Sequence, residues 1–470
     1  MTTNTLSRPK IGLLALTLEF YEQLAPGLRE SRDEWVRHDL IPALSRGVEV
    51  LFHGAVFRRE DIAEEVARLE QSGAEVLLVL LLTYAPSQLA LPTLQRTRLP
   101  IAIWNTQELW KVSTGFTTTE MMNNHGVHGT QDLANVLVRS GVKFHYVTGH
   151  VRDAEALAGL QDFGLAAQAV RRLHSARIGL LGYPFPGMGD FAVDTTHLAA
   201  SLGCAWVNLT VEDYVRRAAT ADPETVNQLV GEYRRLYALG PDVTEGDLAS
   251  TARAELALRG MVHDHRLAAL TYQFLAFGED ERTATLPFVA ASRLMADGLG
   301  FGGEGDLIAA AATSFLGWLQ PPATFSEMFT IDFADNALFM SHMGEVNVAM
   351  ARRDRPVRLV ARPTPITRTR DRQLALVTSL EPGAATLFAL TLGPGQRWRI
   401  IAAPARILDF GPLSDACVPH FKLQPARDVR QFLTDYALAG GPHHNGVCFG
   451  DGRPRLRHAA AILGADYVEL

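Results

Sequence analysis

Glu304 lies in GFGGEGD, residues 300–306, with glycine on both sides, a second carboxylate two residues later and an alanine-rich run of helical spacing immediately beyond. Asp306 is placed to cap that helix, because an acidic side chain satisfies orphan N–H groups and the positive helix end. Capping does not account for Glu304. Its glycine neighbours suit a backbone that bends sharply or lets another group approach closely. Three further segments carry side chains able to do chemistry. In SHMGEVN, His342 and Glu345 stand three apart and would share a face of a helix. Glu327 sits in TFSEMFTIDF just ahead of a strand-like run, and His443 and His444 are adjacent in the loop GGPHHNG. Glu304, Glu327, His342 and His444 together make two carboxylates and two imidazoles. Such a mixed oxygen/nitrogen set suits a hard or borderline divalent ion such as Mn2+ and leaves coordination positions for substrate oxygens. A closed tetrahedral zinc site would not.

These motifs occur in order along the chain: NTQ at 105–107, NNHGVHG at 123–129, LMADGLGFGGEGD at 294–306, FSEMFT at 325–330, HMGEV at 342–346 and AGGPHHN at 439–445. In that order they resemble the L-arabinose isomerase and L-fucose isomerase superfamily, and more closely its L-arabinose isomerase branch. The resemblance implies a metal-dependent aldose–ketose isomerase, by default converting L-arabinose to L-ribulose. It implies Glu304, Glu327, His342 and His444 as metal ligands, Mn2+ as the usual ion with Co2+ or Mg2+ as substitutes, and the two glutamates as acid and base. His128 would reach into a neighbouring protomer's site, which implies a homo-oligomer built from trimers, either a trimer or a hexamer. His125, Leu18 and His443 would face the sugar. Leu18 opens LEFY where the family has a sugar-contacting glutamine, and His125 also replaces a glutamine, so the sugar-reading surface departs from the family while the metal set is retained. Asp332, in the DFAD that follows Glu327, is the fallback for the second carboxylate.

The elements that must position these side chains fall into three series. From residue 9 to about 175, continuous apolar runs such as KIGLLALTL and AEVLLVLLLT alternate with amphipathic stretches such as REDIAEEVARLEQSG. That alternation is the mark of a parallel sheet covered on both faces by right-handed crossovers. A second αβ series begins at ARIGLLGYP, followed by the turn PFPGMGD, and runs through helical segments at 222–239 and 245–258 to the helix after Asp306. Beyond about residue 325 short strands with close turns (PVRLVARPTPI, QLALVTSL, ATLFALTLG, WRIIAAPARILDF) suit an antiparallel sandwich or barrel, with a helix near 427–438. The expected fold is α/β: two doubly wound parallel-sheet domains, 1–174 and 175–324, then a C-terminal antiparallel β-barrel or sandwich, 325–470.

Composition narrows the function further. The 470 residues have a formal net charge of −7 and no clustered Lys/Arg stripe, which disfavours a nucleic-acid partner. The 3 cysteines, Cys204, Cys417 and Cys448, are far apart and lack CxxC spacing, so neither a disulfide framework nor a cysteine zinc site is expected. VLLVLLLTY, the most apolar stretch, falls well below the roughly 20 residues that span a bilayer. The N-terminus lacks a small-residue cleavage site. A cytoplasmic protein with a small-molecule sugar substrate and no membrane partner is expected. No GxxxxGK[ST] phosphate loop occurs at the strand ends. The rival readings are an isomerase of another pentose, a deoxy sugar or a hexose, and a non-catalytic sugar-binding or regulatory protein.

Overall fold

The first five strands of the computed structural model, which describes residues 7–470, are β1 (Lys10–Leu16), β2 (Glu49–Leu51), β3 (Val76–Leu81), β4 (Ile101–Asn105) and β5 (Phe144–Thr148). They form one parallel sheet in the order β2-β1-β3-β4-β5. β1 and β3 are buried almost throughout, which is why they read as unbroken apolar runs rather than alternating ones. This sheet, with Leu14, Val79 and Ile103 in its core, belongs to one of two compact units, 7–171 among the described residues.

The second unit, Arg172–Leu470, opens with another parallel sheet. Its strands are β6 (Arg177–Leu181), β7 (Ala205–Leu209), β9 (Ala269–Tyr272) and β10 (Gly300–Gly302), in the order β10-β9-β6-β7. In both sheets the chain goes to one side of the first strand and then crosses to the other, the doubly wound arrangement expected. Because all four strands of the second sheet run the same way, the loops after β6 and β10 leave from the same edge, where ligands of such sheets bind.

The remaining strands are β8 (Ala238–Leu239), β11 (Ala323–Asp332), β12 (Ala337–Ser341), β13 (Arg358–Ala361), β14 (Leu374–Val377), β15 (Gly383–Leu392), β16 (Trp398–Ile407), β17 (His420–Pro425), β18 (His444–Phe449) and β19 (Asp466–Glu469). Strands β15-β18-β11-β12-β17-β16 form an antiparallel ring closed by the β15–β16 pairing, so the C-terminal architecture is a barrel. β19 joins parallel to the first half of β16, whose last residues pair with β17. Leu338, Met340, Leu387, Ile401 and Val447 pack in its core. The segments PVRLVARPTPI and QLALVTSL do not join the ring. Their strands, β13 and β14, pair with each other and with the short β8 in a separate three-stranded sheet, covering Val226, Leu229 and Tyr233 of the helix Pro223–Leu236. Hairpin-like spacing alone does not distinguish these two destinations.

The helix Leu307–Leu319 joins the parallel sheet to the barrel. It is apolar around nearly its whole circumference because it packs against β9 and β10 on one side and β11, β15 and β18 on the other. Its N-terminus therefore lies where the sheet edge meets the barrel mouth.

Candidate metal centre and active site

At that junction Asp306 caps the helix, its Oδ1 accepting the Ala309 N–H at 2.8 Å. The turn ahead of it is tight. Glu304 has φ 59°, a left-handed conformation uncommon outside glycine, and Gly305 follows at φ 83°. The Glu304 carbonyl accepts the Phe185 N–H at 2.9 Å, which ties the turn to the loop after β6. A Cβ on Gly303 would meet His342 Nε2 at 2.7 Å, and one on Gly305 would meet the Tyr183 carbonyl at 2.5 Å. The glycines around Glu304 thus serve both purposes inferred from the sequence, a sharp bend and close approach.

The barrel supplies the facing groups through strand register. Glu327 on β11 is paired with His444 on β18 and, on its other side, with Ser341 at the end of β12, immediately before His342. Opposed residues on adjacent strands are close neighbours, so the register sets these side chains beside one another. Glu327 lies within a strand rather than in a surface loop. Asp332, at the far end of the same strand, is bound to Lys422 Nζ at 2.6 Å and accepts N–H groups of Ala334 and Asp335 in the hairpin turn.

One ligand atom each from Glu304, Glu327, His443 and His444 lies within 4.8 Å of all the others, a group able to hold a metal ion. Glu327 Oε1 is 3.1 Å from His444 Nε2 and 3.6 Å from His443 Nε2, while Glu304 Oε2 is 3.7 Å from each of those nitrogens. Glu304 Oε2 and the Nε2 atoms of His342, His443 and His444 are buried without a hydrogen-bond partner among the described residues. Buried polar atoms ordinarily have partners, so this convergence of orphans is what a cation would satisfy.

The opposite nitrogen of every imidazole is held by a carboxylate. His444 Nδ1 is 2.8 Å from Asp306 Oδ2, His443 Nδ1 2.5 Å from Asp190 Oδ2, and His342 Nδ1 2.5 Å from Glu345 Oε2. Glu345 is in turn hydrogen-bonded by the Tyr272 hydroxyl. Metal-binding histidines typically have such carboxylate partners, which fix the ring and its tautomer. His342 and Glu345 meet across a turn rather than on a helix, and both are buried, so the glutamate is not a surface bystander. Phe325 packs edge-on against both His342 and His444, with ring centroids 4.8 and 4.9 Å away.

Electrostatics follow from this crowd of carboxylates. Burial pulls His443 and His444 down, but Glu304 and Asp190 around the first, and Asp306 and Glu327 around the second, outweigh it and hold both at about 9. Burial acts likewise on His342, and Glu345 keeps it above its ordinary value. Burial pushes Glu327 up, yet the surrounding imidazoles, His444 first, leave it below its ordinary value. The donor set is one that favours positive charge at its centre.

Sequence models of the L-arabinose isomerase central domain and of the L-arabinose isomerase C-terminal domain match residues 188–319 and 322–466, together more than half of the chain. The chain belongs to the L-arabinose isomerase family. Its similar relatives include the L-arabinose isomerase of Acidothermus cellulolyticus, 27% identical over 404 residues that cover 82% of this chain and 78% of the relative. That of a Nocardioides species is 28% identical over 399 residues with the same coverage, and that of Geobacillus thermodenitrificans 28% over 413 residues, covering 82% and 79%. The protein is an aldose–ketose isomerase, an intramolecular oxidoreductase. The two matched segments of this isomerase hold the whole carboxylate and imidazole cluster, from Asp190 to His444.

Of the sequence-derived ligands, Glu304, Glu327 and His444 belong to the close group. His342 stands beside it, its ring 6.1 Å from that of His444, and His443 stands in the group. Leu18, His125 and His128 lie in the other compact unit. There His125 is bonded through Nδ1 to the Tyr21 hydroxyl at 2.9 Å and through Nε2 to His128 Nδ1 at 3.1 Å, and His128 stacks on Tyr84 at 4.5 Å. Leu18 lines an open cleft of about 510 Å3 with Phe20, Phe57 and Leu89, beside Arg58 and Glu60. Sequence reasoning assigned nothing to Asp190, Tyr272 or the second oxygen of Asp306. Asp190 falls in PFPGMGD, legible as a turn but with no spacing to relate it to a histidine 253 residues away.

Proposed function

We propose that this isomerase interconverts L-arabinose and L-ribulose with a divalent ion, Mn2+ by preference, held by Glu304, Glu327 and His444 with His342 or His443. The convergence of buried, partnerless Nε2 and Oε atoms on one point, each imidazole backed by a carboxylate, carries this reading. The relatives named as L-arabinose isomerases supply the sugar. When bound, the ion supplies positive charge against the negative oxygens of an enediolate.

The chain's own groups do the rest. Glu304 and Glu327 each bring a carboxylate oxygen to the same two imidazole nitrogens, so one carboxylate can take the proton from carbon 2 of the open-chain aldose and return it to carbon 1. The other can exchange the proton between the two sugar oxygens. Asp306, Asp190 and Glu345 hold the imidazoles so that these carboxylates keep a fixed geometry. Phe325 and Phe191 limit water around His444, which strengthens every charge interaction in the site. Segments 175–324 and 325–470 would then act as two domains contributing one glutamate each, with 1–174 as a third. His128 would serve a neighbouring protomer in an oligomer of trimers, in the cytoplasm. No helix among the described residues is long and apolar enough to cross a membrane.

Leu18 bears on sugar choice. It offers neither donor nor acceptor, and an unpaired buried hydroxyl opposite it would cost about 1–3 kcal/mol, roughly a five- to 150-fold preference. A deoxy or methyl-bearing sugar is the alternative substrate. Purified protein incubated with Mn2+ and a panel of aldoses and ketoses, including L-arabinose and L-fucose, tests both points by product chromatography. L-ribulose formed from L-arabinose is the expected result. No conversion of any sugar with any divalent ion would favour the non-catalytic sugar-binding reading.

A further inference from the structure

β10 is an edge strand of the second parallel sheet: among the described residues it pairs with β9 alone, Gly300, Phe301 and Gly302 lying opposite Ala269, Leu270 and Thr271. Alternate residues of such a strand turn their backbone groups towards the neighbour and away from it, and the Gly300 N–H goes to the Ala268 carbonyl at 3.1 Å. The N–H and C=O of Phe301 therefore face away from β9, where no strand follows, and at 1% exposure the residue is shut off from bulk water. One side chain serves both groups. Thr313 Oγ1, well inside the helix Leu307–Leu319, accepts the Phe301 N–H at 2.8 Å and donates to the Phe301 carbonyl at 2.6 Å. A helical threonine ordinarily turns its hydroxyl back to its own helix, and the Ala309 and Ala310 carbonyls lie 3.0 and 3.2 Å away, but the Phe301 carbonyl is the nearest acceptor for the single proton. Gly300 and Gly302 let the helix come this close, since a Cβ on either would meet the Ala310 backbone at 2.6 Å.

Between Phe301 and Glu304 stand only Gly302 and Gly303, residues of the widest conformational range. The direction of the Glu304 carboxylate therefore depends on what anchors this short arm. On the far side the Gly303 carbonyl accepts the Thr271 hydroxyl at 3.2 Å and the Glu304 carbonyl accepts the Phe185 N–H at 2.9 Å. On the near side the anchor is Thr313. We infer that Thr313 is a positioning residue for Glu304: its hydroxyl takes the place of an absent neighbouring strand and fixes the backbone from which the Glu304 arm projects. The inference rests on the acid–base reading of Glu304 and deepens it.

The test measures kcat and KM of the full-length protein and its variants with Mn2+ and the best aldose of the panel above, at a temperature where circular dichroism shows each to be folded. Thr313→Val keeps the shape of the side chain and removes both bonds. It should lower kcat about 10- to 100-fold, the scale of a reacting group displaced by about 1 Å, with a smaller change in KM. Thr313→Ser keeps the hydroxyl and should restore most of the turnover. Thr313→Ala loses the same two bonds with less crowding, should change kcat in the same direction, and serves where the valine protein does not fold. Introduced into Glu304→Gln, Thr313→Val should cost no more than about twofold further, because residues that act through one group are not additive. A merely structural hydroxyl would lower thermal stability and leave kcat per folded molecule unchanged. Unchanged kcat in the valine and alanine variants, or an undiminished effect of Thr313→Val in the Glu304→Gln protein, would overturn the inference alone. Normal turnover by Glu304→Gln would overturn the acid–base reading and this inference with it.

Discussion

Asp306 joins two jobs in one carboxylate: Oδ1 caps the helix Leu307–Leu319 through the Ala309 N–H, and Oδ2 holds His444 Nδ1, both at 2.8 Å. The bond that begins the buried helix therefore also aims an imidazole. Asp306→Ala should lower stability by about 1–2 kcal/mol, as loss of a cap does, and should weaken divalent-ion binding by about 10- to 100-fold through the freed histidine. Denaturant unfolding and calorimetric Mn2+ titration measure the two separately. A purely structural aspartate would change the first and leave the second alone.

The turn carrying Glu304 sets up a comparison between two glycines. Gly305 has φ 83° and its Cβ would meet backbone at 2.5 Å, whereas Gly187 has φ 92° with nothing within 4 Å of the same position. Gly187→Ala should cost roughly 1 kcal/mol, the conformational penalty alone. Gly305→Ala should cost more than about 2 kcal/mol and also reduce turnover, because the strand-to-helix turn must shift. Equal losses in urea unfolding would show that the turn relaxes freely.

Exhaustive chelation should abolish isomerisation and added Mn2+ should restore it. Glu304→Gln preserves the shape of the turn while removing its charge, and should lower turnover at least ~10²-fold, the scale of a positioned acid or base. Turnover near that of the unmutated protein, measured at saturating Mn2+, would confine Glu304 to a structural role.

A pH effect on stability follows from His420, far in character from the site histidines. It is 1% exposed, its Nδ1 donates to the Val418 carbonyl and its Nε2 accepts the Leu413 N–H, both at 2.9 Å. Burial holds its pKa below the ordinary value, although Val418 partly opposes that. The ring is therefore neutral when folded, while the unfolded chain takes up a proton near pH ~6.5. This contribution to stability is complete above that pH and is lost as pH falls through the folded value, at up to about 1.4 kcal/mol per pH unit. Unfolding free energies of the unmutated protein and His420→Gln between pH ~7.5 and ~5.5, roughly the range of histidine titration, should show a shallower acid slope in the variant. Parallel slopes would mean that His420 titrates as an exposed imidazole.

The layered αβ architecture, the strand-rich C-terminal part, the Asp306 cap and the bent, crowded backbone at Glu304 are all legible along the chain. Each depends on local physics: apolar period, capping chemistry, glycine's conformational range. The helix Val429–Leu438 matches the stretch expected near 427–438, and Pro223–Leu236 the one at 222–239, while Glu245–His265 runs beyond 258 because its buried face continues to Met261. Tertiary structure alone decided which side chains meet. Barrel closure set Glu327 opposite His444, a register that the hydrophobic pattern of either strand leaves open. It also sent β13 and β14 to a sheet with β8, since short apolar strands accept more than one partner. Asp190 with His443 and Asp306 with His444 are contacts across 253 and 138 residues. No spacing along a chain encodes such pairs, because each forms only after the sheet edge and the barrel mouth have packed around the helix between them.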